Sequence, residues 1–247
     1  ASSGDVKAAL GAVIDAICER KAEEQVNQDL TGNLMAEIEQ LDLGPTHRGR
    51  INPHRKLNVT QRDKDLYEKQ MADLQGYSRR LQRAMREALR DLQEGTIAHH
   101  RLVGNRLEIK YAYRPDQKFY ANKKQPQDYP SMSVSVLVDM SGSMSGKRMD
   151  SAMRAAMLLY DFATGLGIPV MVAGHNTWQT GISEYHVFAQ FDRVKDSDKF
   201  RLSQMQTGGC NRDGAAIEAS VKLMMNRTED VKLLFVISDG QPNDGQY

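Results

Sequence analysis

The chain has 247 residues, enough for one large domain or two small ones, and its 40% hydrophobic content is sufficient for a core. Its 33 Lys and Arg nearly balance 32 Asp and Glu, and a net charge of +1 argues against a surface that is nucleic-acid-binding overall. Two cysteines, Cys18 and Cys210, form no disulfide framework and fit a reducing compartment, and no apolar run reaches the length of about 18 residues needed to span a membrane.

Apolar residues recur at helical spacing at Val6, Leu10, Val13, Ile14 and Ile17, and again at Val26, Leu30, Leu34, Met35, Ile38 and Leu41. Two amphipathic helices, or one broken helix, are expected over 5–42, with Gly44-Pro45 as the stop. The beginning of the chain lacks the basic-then-apolar order of a secretory leader. The basic, proline-bearing stretch from Pro45 to Asn58 reads as a solvated loop. Thr60 followed by Asp63 resembles a capping box and opens a helix expected over about 61–94, with Gly95 as its stop. Such a helix is a rod of roughly 50 Å. Leu66, Met71, Leu74, Tyr77, Leu81, Met85, Leu89 and Leu92 lie along it, and the earlier helices are the simplest partner for that stripe. Arg79, Arg80, Arg83, Arg86 and Arg90 crowd its other faces, but interleaved Asp and Glu dilute them as a nucleic-acid surface.

Alternation of Leu107, Ile109, Tyr111 and Tyr113 with polar neighbours is a strand signal. His99 and His100 have no Cys or carboxylate at matching spacing and read as exposed residues at a helix end. Lys118, Lys123, Lys124, Pro126 and Pro130 mark a linker. The coarse division is a helical region 1–98, a linker with short elements 99–130, and an α/β region 131–247.

Within 131–247 strands and helices alternate, so a parallel-rich sheet covered on both faces is expected. Apolar strands are expected over 133–139, 168–173 and 231–238, an edge strand over 185–191, and helices over about 147–164 and 213–226. Met149, Met153, Met157 and Tyr160 form a stripe that reads as core filling, closed by Gly165 and Gly167. Cys210 reads as a small buried residue.

The chemistry concentrates in three loops. The stretch SVSVLVDMSGSMS, Ser133 to Ser145, ends a buried strand at Asp139 and offers Ser141 and Ser143 on either side of Gly142. Carboxylate and hydroxyl oxygens are hard ligands suited to Mg²⁺, Ca²⁺ or Mn²⁺, and a glycine between two of them lets the backbone turn closely. The stretch GGCNRDGAAI offers Asn211 and Asp213 just ahead of a helix, and LLFVISDGQPND ends a second buried strand at Asp239-Gly240. Loops that follow parallel strands lie at the carboxyl edge of the sheet, where open α/β folds bind ligands.

These three pieces resemble the von Willebrand factor A (VWA) family and its metal-ion-dependent adhesion site, which combines D-x-S-x-S with a Thr on a second loop and an Asp on a third. The resemblance covers roughly 131–247. It implies a Rossmann-like α/β domain, truncated at its C-terminal side relative to the family, with one divalent cation, Mg²⁺ first and Mn²⁺ or Ca²⁺ next. It implies Asp139, Ser141, Ser143, Asn211 and Asp239 as ligands. Asn211 stands where the family has Thr, which leaves Thr207 as a rival ligand and Asp213 as a possible ligand or outer neighbour. The wording of the loops is similar to the intracellular bacterial branch, which includes the VWA proteins that accompany cobalt chelatase and those of nitric-oxide-reductase activation. That branch implies a cytoplasmic, non-enzymatic, metal-dependent protein–protein interaction module, working with a MoxR-like AAA+ ATPase in metalloenzyme maturation or metal insertion. The partner would offer an Asp or Glu carboxylate. The alternative is a subunit of a metal chelatase or a metal-assisted hydrolase.

Direct enzymatic readings find less support. Gly142 to Arg148 misses the G-x-x-x-x-G-K-[ST] spacing of a phosphate loop, with Arg148 where Ser or Thr should stand. Ser143 and Ser145 lack a G-x-S-x-G frame, and His175 reads as a polar residue at a strand end.

Overall fold

The computed structural model describes residues 21, 25–26, 28–56, 58–94, 97–103, 106–111, 115–116, 118–123, 131–178, 181–192 and 197–240. The expected helix around Val6 to Ile17, Cys18, Gly95, Tyr113, Lys124, Pro126 and Pro130 fall outside these residues. So does everything after Gly240.

A parallel-rich sheet forms the centre. Its strands are β1 (Ile51–His54), β5 (Met132–Asp139), β6 (Val170–Thr177), β7 (Ser183–Ala189) and β8 (Val231–Ile237), in the order β1-β7-β6-β5-β8. β5 pairs in parallel with both β6 and β8, β1 pairs in parallel with β7, and β6 and β7 are antiparallel. A separate small antiparallel sheet holds β2 (Ile97–Arg101), β3 (Arg106–Leu107) and β4 (Tyr120–Lys123), in the order β2-β4-β3. The helices are α1 (28–39), α2 (Gln61–Glu94), α3 (Lys147–Gly165), the short α4 (Asp198–Arg201) and α5 (Asp213–Met225).

The two-residue period of β5 explains the layers. Val134, Val136 and Val138 point to one face, where they meet Met149, Met153, Met157 and Tyr160 of α3 and Tyr67 and Met71 of α2. Leu137 points to the other, where it meets Ile38 of α1, Leu43, and Ala216, Ala219 and Leu223 of α5. Helices therefore cover both faces. The fully buried Met157 alone contributes on the order of 1.5–3 kcal/mol through its removal from water. On the second face the wholly buried Tyr185 shares a 2.8 Å hydrogen bond with Ser220 of α5, and burial raises its pKa above the usual tyrosine value.

Several elements follow the sequence closely. The capping box opens α2, with Thr60 N–H donating to Asp63 Oδ2 at 2.8 Å and Asp63 N–H to Thr60 Oγ1 at 3.3 Å. Gly167, at φ 73°, is the left-handed residue that stops α3, and the Ile168 N–H closes back on the Ala163 carbonyl at 2.9 Å.

Others differ. The expected basic loop contains β1, which adds to the sheet beyond β7. β7 is therefore an inner strand, and β1, with Pro53 in it, is the edge, a position where a missing N–H is tolerated. Among the described residues the apolar face of α2 packs on α3, while α1 packs on the opposite face of the sheet. Tyr67, Met71 and Leu74 carry the contact, Ser78 donates to Asp161 Oδ2 at 2.5 Å, and Tyr77 and Leu81 are exposed. His99 lies in β2, where Nδ1 is 2.8 Å from Glu108 Oε1, so it is a strand residue and not a helix-end one; His100 shares that strand. The alternating run from Leu107 leaves extended structure at once and becomes a 3₁₀ turn at Ile109–Tyr111. The expected linker contains β4. Cys210 is exposed, not buried.

Candidate functional site

Asp139 ends β5 with its side chain fully buried. Three loops meet on its two carboxylate oxygens. Oδ1 accepts the Ser141 N–H at 2.8 Å. Oδ2 accepts Asn211 Nδ2 at 3.1 Å from the loop before α5, and Ser238 Oγ at 3.2 Å from the loop after β8. Ser141 and Ser143 turn toward each other, with their hydroxyl oxygens 2.9 Å apart. The third loop is tightened by the Gly240 N–H on Ser238 Oγ at 3.1 Å.

Backbone contacts hold the first two loops together. The Gly142 N–H donates to the Gly209 carbonyl at 2.9 Å, and the Gly208 N–H donates to the Met140 carbonyl at 2.8 Å. Cys210 and Thr177 exchange two N–H···O bonds of 2.7 Å, which lock the second loop onto the end of β6. Gly209 makes this approach possible: its φ is 69°, and a Cβ there would overlap the Thr177 carbonyl.

The electrostatics concentrate negative charge. Burial raises the Asp213 pKa, and the neighbouring Asp139 and Asp239 raise it further. His175 pairs with Asp139 in the β5–β6 register, is fully buried, and has Nε2 3.5 Å from Asp213 Oδ1. Burial lowers its pKa to about 4 despite the opposing pull of Asp139, so it is neutral near pH 7 and supplies no counter-charge. The cation at the rim is Arg148. Its Nη1 donates to the Ser143 carbonyl and to Asp239 Oδ2, both at 3.0 Å.

The residues expected at the site are thus distributed unequally. Asp139, Ser141, Ser143 and Asn211 come together directly, and Asp239 stands at the rim in the grip of Arg148. Asn211 presents its amide nitrogen to Asp139, so ligation through the amide oxygen would require the group to turn; in the arrangement seen it holds the Asp139 carboxylate in place. Thr207 lines a neighbouring cavity with Met140 and Trp178. Asp213 lies behind, beside His175. Ser238 and Arg148 were not among the expected site residues. Ser238 adjoins Asp239 in sequence, and that adjacency was the available signal.

The donors fit a hard divalent cation in kind: they are carboxylate and hydroxyl oxygens placed where carboxylates crowd one another, joined by the Asn211 amide oxygen if that group turns. Among the described residues no three His, Cys, Asp or Glu side chains are close enough to hold a metal by themselves, so the serine hydroxyls and Asn211 would have to complete any such set. Among the described residues no helix is long and apolar enough to cross a membrane.

No protein-family model matches the chain. It is 26% identical over 186 residues to the uncharacterized protein YojO of Bacillus subtilis (strain 168), an alignment that takes in 71% of this chain and 29% of YojO. The chain therefore spans well under half the length of that relative.

Proposed function

We propose that the chain is a metal-dependent protein–protein interaction module of the VWA type, acting as an adaptor for a MoxR-like AAA+ ATPase in metalloenzyme maturation or metal insertion. The observation that carries this reading is the meeting of three loops, its own and two from 72 and 99 positions away in sequence, on the single buried carboxylate of Asp139. Two of the loops directly follow strands, β5 and β8, of a mostly parallel sheet, where ligands of open α/β folds bind.

In this reading Asp139, Ser141, Ser143, Asn211 and Asp239 hold one divalent ion, Mg²⁺ first. When bound, the ion supplies an electrophilic centre that attracts an Asp or Glu side chain of the partner. The protein's own groups do the positioning. Ser141 N–H, Asn211 and Ser238 fix the two oxygens of Asp139, and the Gly142–Gly209 and Gly208–Met140 bonds fix the loops relative to each other. The two hydroxyls are neutral donors, which leave the ion's charge largely unquenched. Isolated ion affinity should then be modest and should rise when the partner binds, since the coupling is reciprocal.

The reading is tested by capturing the ATPase on the immobilised chain with and without EDTA, for wild type and for Ser141→Ala plus Ser143→Ala. Capture should be lost in EDTA and in the double variant. Equal capture in all conditions would place the binding surface elsewhere.

A further inference from the structure

β6 ends at Thr177, and the next residue is Trp178, the single tryptophan of the chain. Asp139 and His175 are partners in the β5–β6 register, so Trp178 stands three residues further along the same carboxyl edge of the sheet as the Asp139 loops. It is 55% exposed.

The indole is nevertheless held in place. Gly208 and Gly209 form a flat floor beneath it: a Cβ on Gly208 would lie 3.2 Å from Trp178 Cη2 and 3.3 Å from Cζ2, and a Cβ on Gly209 would lie 3.4 Å from Cδ2. The backbone is pinned as well. The Gly181 N–H donates to the Trp178 carbonyl at 3.2 Å, and the preceding Thr177 exchanges two bonds of 2.7 Å with Cys210.

That floor is the same piece of chain that builds the candidate ion site. The Gly208 N–H donates to the Met140 carbonyl at 2.8 Å, and the Gly209 carbonyl accepts the Gly142 N–H at 2.9 Å. Asn211, two residues on, holds the Asp139 carboxylate. The indole and the Asp139 carboxylate therefore flank one loop and are fixed relative to each other through it.

An indole seated on backbone and open to water on its other side is apolar area that folding leaves uncovered. Because the ring is already locked, covering it costs a partner little further ordering. Aromatic anchors of this kind carry a large share of the energy of protein interfaces. The Asp139 loops offer the opposite chemistry, oxygen donors and charge. A partner that engages both needs an acidic side chain and an apolar one close together.

We propose that Trp178 is the apolar anchor of the partner surface beside the ion. The partner it fits is a protein segment with a large apolar side chain within about three residues of the Asp or Glu that approaches the ion, a reach of roughly 10 Å in extended chain. The proposal rests on the ion-dependent reading above and adds a second requirement on the partner.

The test is selection of a random dodecapeptide library, displayed on phage, on the immobilised chain in Mg²⁺. Enriched peptides are then synthesised and their binding measured by fluorescence anisotropy to wild type, Trp178→Ala and Trp178→Phe, with and without EDTA. On wild type they should pair an Asp or Glu with a Leu, Ile, Met, Phe or Trp within three positions. Replacing that apolar residue by Ala, or Trp178 by Ala, should each weaken binding at least about tenfold. The two changes together should weaken it little more than either alone, because both remove one contact. Trp178→Phe, which keeps a flat ring, should restore most of the loss. Binding that depends on Trp178 but is equal in EDTA would leave the anchor standing and remove the ion. Binding that is lost in EDTA but unchanged in Trp178→Ala would keep the ion and overturn the anchor. Enrichment of no sequence, or of acidic peptides without an apolar residue, would overturn it as well. So would a Trp178→Ala variant that passes from dimer to monomer in light scattering, since a second copy would then be what covers the indole.

Discussion

Removing Arg148 should tighten the binding of a divalent ion. Its guanidinium bridges the Ser143 carbonyl and Asp239 Oδ2, each at 3.0 Å, and so holds the third-loop carboxylate that the ion would need. The Arg148 side chain is 64% exposed and that of Asp239 12% exposed. An exposed ion pair contributes roughly 0.2–1 kcal/mol, and the partial burial of Asp239 puts this one near the upper end. Freeing Asp239 from a competing contact of about 1 kcal/mol corresponds to about a fivefold gain in ion affinity, with loss of the nearby positive charge acting in the same direction. The measurement is calorimetric titration of wild type and Arg148→Ala with Mg²⁺ and Mn²⁺ at low and high salt. The gain should shrink as salt rises, because an exposed pair is screened. Binding to Arg148→Ala that is equal to or weaker than wild type would show that Arg148 does not compete for Asp239, and that the ion, if bound, does not use that carboxylate.

Other expectations follow from the same packing. Burial lowers the pKa of both His175 and His186 to about 4, with His54 lowering His186 further. Their native forms stay neutral while the unfolded chain takes up protons below about pH 6.5, so stability is fully present above that pH and falls as pH drops toward 4. Each histidine adds up to about 1.4 kcal/mol per pH unit to that slope, and urea midpoints for wild type and His186→Gln should diverge less at low pH than at neutral pH. An unchanged pH profile in His186→Gln would contradict its burial as a neutral ring. Gly209→Ala should destabilise the protein by about 2 kcal/mol or more, because it combines a left-handed φ with overlap on the Thr177 carbonyl. Thermal melting checks this, and Gly146→Ala, also left-handed but with open space around it, should cost less.

Much of the α/β layout was legible because periodicity is a local property. The valines of β5 and the methionine stripe of α3 declare the faces they bury without knowledge of their neighbours. What escaped depends on distant partners. β1 is short, basic and interrupted by Pro53, and becomes a strand only because Ser183 to His186 lie alongside it. The stripe of α2 shows that the helix must pack, not against what, and among the described residues it is α3 that it meets. At the site, Asp139, Ser141 and Ser143 share one motif and were visible together. Arg148 sits in a familiar helical run, and its contact with Asp239 spans 91 positions. Arg55 reaches Asp198 across 143 positions, a pairing that no local pattern announces.

The central claim is that the loops gathered on Asp139 bind a divalent cation. The most direct measurement is calorimetric titration of Mg²⁺ and Mn²⁺ into wild type and Asp139→Ala, with circular dichroism to show that both are folded. The account predicts one ion per wild-type chain with modest affinity, and no measurable binding to folded Asp139→Ala. Equal binding by the two proteins, or none by wild type at millimolar ion, would contradict it.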